Sequence, residues 1–358
     1  MSIDKQVQPG GQAYFKQSHE KTDGRRLNLY SYDPTPAVFR RDGLDGAGPG
    51  AALRWHPLLK EWSIYAAHRQ NRTFMPSAAQ DPLAPTRPGG PLTEIETERF
   101  EVAVFQNRFA SLHPEAVPPD APPHTEIARA NGDCEVVVYT EDAGGSLATL
   151  GQARRRLLVS AWIDRYADLH EAGAAFVMPF ESRGREVGVT LDHPHGQIYA
   201  FPFVPQTQAR MAKSFAEGYR LDRAAEDWAE TYLVTEAGPL RALVPPFARY
   251  PFEVWIVPRE PVRGPWAFGS EAFDAYAHLL GDLTRRYDAY FERPAATMMS
   301  LQAAPATAGD NFQFTTQFFS ALRSPDRTKF FATVEHATAV FTVDVMPEAA
   351  AKALREVS

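Results

Sequence analysis

Apolar positions fall into the same order twice along this chain. Glu135-Val136-Val137-Val138-Tyr139 is a short, nearly unbroken apolar run with the β-branched content of a buried strand. A helical spacing follows over about 146–172, Ala175-Phe176-Val177-Met178 reads as a second strand, and the stretch from Asp192 to Ala200 closes the unit. The second half repeats this at similar separations. Glu253-Val254-Trp255-Ile256-Val257 is its strand, about 270–292 its helix, Ala296-Thr297-Met298-Met299 its next strand, and Asn311 to Phe319 its last. The pattern predicts an α+β fold of tandem duplicated units, each an antiparallel sheet with a packed helix. No glycine-rich phosphate loop follows an early strand, which disfavours a parallel, doubly wound sheet.

The remaining segments are punctuated differently. Residues 1–50 are rich in Gly, Pro and Asp, and the run from Asp42 to Gly50 cannot sustain a regular element, so an arm or wrapping loop is expected there. Pro82 to Gly90 and Pro114 to Pro123 read as proline-laden surface connections. The organisation is thus an arm (1–50), a first unit (51–206) and a second unit (207–358).

Composition narrows the partners. With 358 residues and 44% hydrophobic content the chain can bury an extensive core. Nothing approaches the run of about 18 apolar residues that a membrane helix needs, and the start lacks a signal-peptide core, so a cytoplasmic location without a membrane partner is expected. A net charge of −7 argues against nucleic acid, and the one dense basic run, Arg154-Arg155-Arg156, reads as a solvated helix face. Its anionic ligand should be small. The lone Cys134 permits no intrachain disulfide and reads as a buried strand thiol.

Candidate chemistry concentrates in Asp192-His193-Pro194-His195-Gly196-Gln197. Side chains at i and i+2 share a strand face, so His193, His195 and an amide are expected to converge, while Gly196 would let an anion approach the backbone. Imidazole is substantially neutral near pH 7 and can then attack phosphorus. Taken alone, the run leaves three options open: a metal-binding pair, hydrogen-bonded structural histidines, or nucleotidyl transfer onto His195.

The five residues His193-Pro194-His195-Gly196-Gln197, followed by Ile198 and Tyr199, resemble the active-site signature of the galactose-1-phosphate uridylyltransferases, a branch of the histidine-triad superfamily. Other segments fit that family in the same order: Arg54-x-x-Pro57-Leu58 with Trp62, Arg69 and Arg72; Phe105 to Ala110; Glu181-Ser182-Arg183-Gly184 with Gly188 and Thr190; and Arg323 with Lys329-Phe330 and Glu335. The resemblance implies tandem histidine-triad-like units and a homodimer. It further implies a ping-pong exchange of UMP between UDP-glucose and a hexose 1-phosphate, galactose 1-phosphate in the family, through a uridylyl group held on His195. His193 would orient, and Gln197 would donate hydrogen bonds to phosphoryl oxygens where the hydrolase branch carries a histidine. Arg72, Arg183 and Lys329 are implied phosphate contacts, and Asn107 and Phe109 the uracil and ribose contacts. Ser182, Gly188 and Thr190 would line the phosphates, and Phe330 and Glu335 would reach the sugar.

This chain departs from the family at its metal positions. The zinc-binding cysteines fall at Asp81 and Ala84 and a zinc-binding histidine at Ala143, while the iron ligands fall at Met211, Gln302, Thr315 and Gln317. Neither set suits its metal, so no cofactor is expected. Two other functions fit the same residues: an ADP- or other nucleotide-sugar phosphorylase or adenylyltransferase, and a non-catalytic nucleotide-sugar sensor.

Overall fold

The computed structural model describes residues 2–34, 37–39, 50–71, 81–330 and 332–357. The N-terminal half contains β1 (Ser2–Val7), β2 (Ala13–Glu20), β3 (Arg26–Ser31), β4 (Ala52–His56), β5 (Glu61–Tyr65), β6 (Val102–Gln106), β7 (Ile127–Arg129), β8 (Asp133–Val138), α1 (Gln152–Glu171), β9 (Phe176–Arg183) and β10 (His195–Phe201). The C-terminal half contains α2 (Gln206–Ala216), α3 (Leu221–Tyr232), β11 (Leu233–Ala237), β12 (Leu240–Leu243), β13 (Val254–Pro258), α4 (Ser270–Tyr290), β14 (Thr297–Gln302), β15 (Thr315–Ser320), β16 (Leu322–Ser324), β17 (Arg327–Thr328), α5 (Thr333–Thr338) and α6 (Pro347–Glu356).

Mixed helices and antiparallel sheet match the predicted class, but the two expected sheets are one. Twelve strands run in the order β1-β2-β3-β6-β8-β10-β9-β14-β15-β13-β12-β11, and every pairing is antiparallel. The repeated units, β8-α1-β9-β10 and β13-α4-β14-β15, meet edge to edge where β9 pairs with β14, with Arg183 opposite Thr297 and Phe180 opposite Ser300. Joining two edges removes two rows of unpaired backbone groups, which neither unit alone could avoid. Helices α1 and α4 lie together on one face of this sheet. Their apolar stripes, including Leu157, Leu158 and Trp162 with Leu279, Leu280 and Leu283, share a core with Ile198 and Ala200 of β10 and Val254 and Ile256 of β13. No helix among the described residues is long and apolar enough to cross a membrane.

Several expectations are corrected. Residues 2–31 are not an arm or loop: β1, β2 and β3 extend the sheet, with β3 paired to β6. Their burial, continuous from Leu27 to Tyr30 in β3, was masked by the glycine-rich stretch that follows, much of which lies outside the described residues. Helix α1 opens at Gln152 rather than near 146, because Ser146–Leu150 closes a turn through the Ser146 carbonyl before Gly151. The arginine run is no solvated face either. Arg155 is buried between the helices, donating from Nε to the Ala277 carbonyl (2.7 Å), and a Cβ at Gly281 would lie 2.5 Å from its guanidinium. Arg154 ties to Glu101 and Arg156 to Asp274. Finally, the segment after Asp81 is no loose connection: Leu83, Thr86, Thr93 and Glu94 are buried, and Glu94 N–H donates to the Pro82 carbonyl at 2.8 Å.

Cys134 is fully buried, accepts a hydrogen bond from Leu112 N–H at 3.4 Å, and burial pushes its thiol up to about 12. It belongs to a small cluster joining the separate three-stranded sheet β5-β4-β7 to Tyr199, Phe201 and Phe203 on the face opposite α1 and α4. This cluster covers one end of that face. At the other end of that face, beside a second cluster containing Leu83, Ile95, Val136 and Val138, His195 is half-buried.

Candidate active site

Alternation along β10 sorts its residues between two faces. Gly196, Ile198 and Ala200 are buried toward the helices, while His195, Gln197, Tyr199 and Phe201 are half-buried on the open face. Gly196 therefore has a different task from the one expected of it. A Cβ there would sit 2.4 Å from the Tyr139 hydroxyl and 2.7 Å from the Phe180 carbonyl, so glycine admits the core behind the strand rather than an anion in front.

His195 is oriented by its own backbone neighbourhood. Its Nδ1 lies 2.7 Å from the His193 carbonyl oxygen, which can only accept, so Nδ1 carries the proton. In the neutral ring Nε2 then holds the lone pair. His193 does not converge on the same point. Its ring is enclosed, with Nδ1 2.7 Å from Asp81 Oδ2 and Nε2 2.8 Å from the Thr140 carbonyl, so oxygen acceptors face both nitrogens and neither presents a lone pair to a ligand. The segment is stitched further by Tyr139 N–H donating to the Pro194 carbonyl at 3.1 Å.

Asp81 and Thr140 are contributors that the sequence reading missed. Partial burial pushes the Asp81 carboxyl up, but hydrogen bonds from His193 and from Leu83 N–H outweigh it and hold the group below its ordinary range. A signal was available in Asp-Pro-Leu, since aspartate beside proline favours a turn closed by the side chain. Here Asp81 Oδ1 accepts Leu83 N–H at 2.9 Å.

Gln197 and Asn107 come together. Asn107 Nδ2 donates to Gln197 Oε1 at 3.4 Å, while Asn107 Oδ1 accepts Phe109 N–H at 2.9 Å and its own N–H donates to the Cys134 carbonyl at 2.7 Å. Both amide oxygens are thus engaged within the protein, and each NH2 group is what can donate to a ligand. Phe109 is fixed by Arg69, whose Nη1 donates to the Phe109 carbonyl at 2.5 Å.

Strand β9 supplies the neighbouring column. Gln197 pairs with Phe180, and continuing that register to the end of β10 sets Ser182 across from His195 on the open face. Ser182 lines a cavity of about 310 Å³ with Met178, Phe180, Ser300 and Phe319. Gly188 and Thr190 lie in the loop between β9 and β10, where Gly188 takes φ +78° after the turn Arg185–Val187.

Three proposed ligand contacts are engaged elsewhere. Arg183 points to the helix side and makes a two-pronged pair with Asp288 of α4 (2.6 and 2.9 Å), so it ties the units together instead of facing a phosphate. Lys329 pairs with Glu335 at 2.5 Å, and that carboxylate also accepts the N–H groups of Ala332 (3.0 Å) and Thr342 (2.9 Å). The Lys329 bond, with those N–H donors, brings the Glu335 carboxyl down to about 2. Both charges are thus engaged with each other within the protein. Phe330 beside them is 79% exposed, and Phe341, a neighbour of Thr342, lines the same cavity as Ser182. Arg72 lies outside the described residues.

The donors at the two metal positions do not fit their metals. Around His193, Ala84 and Ala143 offer none and Asp81 is already bonded to the ring, which does not fit a four-ligand zinc site. At the other position Gln302 bonds to Gln208 (3.0 Å) and Ser300 (2.9 Å), and Gln317 to Thr315 (3.2 Å). Amide, hydroxyl and thioether groups do not make an iron site.

On the helix side of the sheet, Glu181 is buried on β9. Burial pushes its carboxyl up to about 7, against the Tyr139 hydroxyl and Arg183, which pull it down, although Glu181 Oε2 and the Tyr139 hydroxyl have no partner at full hydrogen-bond geometry. A folded-state value above the ordinary 4.5 means that its contribution is complete below that pH and is lost as pH rises through about 7. Glu181→Gln should therefore gain stability relative to the parent across that window, by up to about 3 kcal/mol, read from urea midpoints at a series of pH values.

Comparison with known proteins agrees with this geometry. Residues 50–205 match the family model of the galactose-1-phosphate uridyl transferase N-terminal domain. The galactose-1-phosphate uridylyltransferase of Thermotoga maritima is 36% identical over 318 residues, covering 85% of this chain and 98% of that protein. That of Streptomyces lividans is 34% identical over 305 residues, covering 81% of each. A solved uridylyltransferase structure superposes with a TM-score of 0.76 at 25% identity, over 85% of this chain and 97% of that one. Sustained over almost the whole length of a relative, this similarity shows that the chain belongs to the galactose-1-phosphate uridylyltransferase family.

Proposed function

We propose that this protein is a UDP-glucose–hexose-1-phosphate uridylyltransferase, exchanging UMP between UDP-glucose and galactose 1-phosphate. The observation that carries this reading is the locked His195 ring, whose Nδ1 is bonded to the His193 carbonyl within a family that performs this transfer. His195 Nε2 attacks the α-phosphorus, the bond to the glucose 1-phosphate oxygen breaks, and that oxygen leaves with its electron pair. The uridylyl group stays on nitrogen as a phosphoramidate. A phosphate oxygen of galactose 1-phosphate then attacks the same phosphorus, and His195 leaves as the neutral ring.

The NH2 groups of Gln197 and Asn107 donate to the phosphoryl oxygens and the nucleoside, and Ser182 offers a hydroxyl across from the nucleophile. An amide at 197 has no proton to give to a leaving group and no basic site for water, so the intermediate waits for a sugar phosphate. Because donor and product bonds are alike, the exchange is close to thermoneutral. The chain works as a homodimer in this reading, supported by apolar side chains such as Phe330 and Leu58 left in solvent. A scattering mass of one chain would remove that part.

The direct test offers UDP-glucose or ADP-glucose as donor, with galactose 1-phosphate or inorganic phosphate as acceptor. UMP transfer from UDP-glucose to galactose 1-phosphate is expected to dominate. Exclusive use of ADP-glucose with phosphate would overturn the assignment.

A further inference from the structure

We propose that Asp81 is a positioning residue for the nucleophile: its carboxylate, acting through His193, fixes the tautomer and the direction of the His195 ring without a metal. The inference rests on the uridylyltransferase reading and goes beyond it to a residue for which that reading has no role.

The connection is continuous and short. Asp81 Oδ2 accepts from His193 Nδ1 at 2.7 Å, and the opposite nitrogen of the same ring meets the Thr140 carbonyl at 2.8 Å. Held at both ends, the ring is fixed, and Tyr139 N–H, donating to the Pro194 carbonyl at 3.1 Å, restrains the chain that follows it. The His193 carbonyl oxygen accepts from His195 Nδ1 at 2.7 Å. A carbonyl accepts and never donates, so its direction alone determines which nitrogen of His195 is protonated and which attacks. If the His193 peptide rotates, Nδ1 loses its acceptor and the other tautomer becomes accessible, with the lone pair facing the wrong way.

Asp81 is itself built in. Its second oxygen accepts Leu83 N–H at 2.9 Å, its carbonyl accepts Ala84 N–H at 3.4 Å, and Leu83 packs against Val136 and Val138 of β8. Thr140, the other clamp, directly follows β8 and Tyr139. The carboxylate and the carbonyl therefore come from segments anchored to one strand, which itself pairs with β10. Such an arrangement keeps two acceptors at constant separation around one imidazole. Where zinc would need four ligands, this site has a carboxylate–imidazole hydrogen bond whose nitrogen is already taken. The two arrangements exclude each other at His193 Nδ1.

The experiment uses the full-length protein and two readouts. One is the rate at which His195 acquires label from UDP-glucose tagged at the α-phosphate, with kcat and KM for the full exchange. The other is the ¹⁵N spectrum of histidine-labelled protein without substrate, which reports each ring's tautomer. In Asp81→Ala, labelling and kcat should fall about 10- to 100-fold, as small misplacements of a reacting group do, with KM for UDP-glucose changed less than about twofold. His195 should pass from a single Nδ1-protonated form to a mixture. Asp81→Asn keeps one acceptor oxygen for two donors and should fall between the two. Added formate should restore part of the Asp81→Ala rate, and chelator treatment of the parent should change nothing.

Wild-type labelling rates and an unchanged His195 spectrum in Asp81→Ala would overturn the proposal. So would a rise in KM matching the fall in kcat with no response to formate, which marks general loosening. Loss of activity on chelation, reversed by zinc, would overturn the metal-free part. If the parent itself takes no label from UDP-glucose, the function reading fails, and the ¹⁵N spectra still decide whether Asp81 sets the tautomer of His195.

Discussion

His195→Ala should abolish uridylyl exchange, lowering kcat on the order of 10⁶-fold, the scale reached when a covalent nucleophile is removed. Among the described residues, no other side chain is placed to substitute. His193 has oxygen acceptors at both nitrogens, Gln197 is an amide with no basic lone pair, and Ser182 has no base bonded to it that would make its hydroxyl a nucleophile. The remaining donors still bind UDP-glucose, so its affinity should change little. The fold should survive, because the His195 side chain lies half-buried on the open face and contributes nothing to the core behind β10. Incubation with α-phosphate-tagged UDP-glucose should leave the variant unlabelled and release no glucose 1-phosphate. Turnover within tenfold of the parent, in a preparation free of wild-type enzyme, would remove the covalent mechanism.

The second large effect concerns stability. Arg165 on α1 is fully buried and its Nε donates to Glu135 Oε2 of β8 at 3.0 Å, with both side chains about 2% exposed. Its other arm reaches Asp168, and Lys16 of β2 bonds to Asp164 (2.8 Å) and Asp168 (2.6 Å). Tyr30 of β3 donates to Asp164 at 2.6 Å. Arg165→Met leaves the buried Glu135 carboxylate without its main partner, with only the half-exposed Arg26 guanidinium 3.9 Å away, and should lower unfolding free energy by about 3–5 kcal/mol. Adding Glu135→Gln should recover much of the loss, since the orphaned charge and not the missing attraction is the main cost. Urea denaturation of the two single variants and the double variant measures this. Additive losses in the double variant would show that the pair contributes packing alone. The N-terminal strands share this network, so the Arg165 variant should also loosen β1 and β2, visible as faster amide exchange there.

The same network marks what could and could not be read from residue order. Strands and helices with a clear period were legible: the valine run of β8, the long apolar spacing of α1 and α4, and the repetition of both halves are local properties of neighbouring side chains. So was the histidine run with its family likeness, because proline between two imidazoles and an amide two residues on is a short and specific pattern. Charged residues were misread more often. Arg155 looks like a solvated helix position, yet it enters the core as Arg165 does, since guanidinium groups can satisfy several carbonyls or a carboxylate at once. Arg183, Lys329 and Glu335 look like ligand contacts and are paired inside the protein.

What residue order determined by itself was therefore the alternation of elements, the duplication and the candidate nucleophile, each written within a few consecutive positions. What only the tertiary structure decided was the pairing: β9 to β14 in one continuous sheet, β3 to β6 where the N-terminal strands join it, and Asp81 to His193 across more than a hundred residues. The reason is physical. Periodicity and turn chemistry act over one or two turns of chain, whereas a buried charge or an unpaired strand edge is satisfied by whichever partner folding brings within 3 Å, and nothing in the local pattern names that partner.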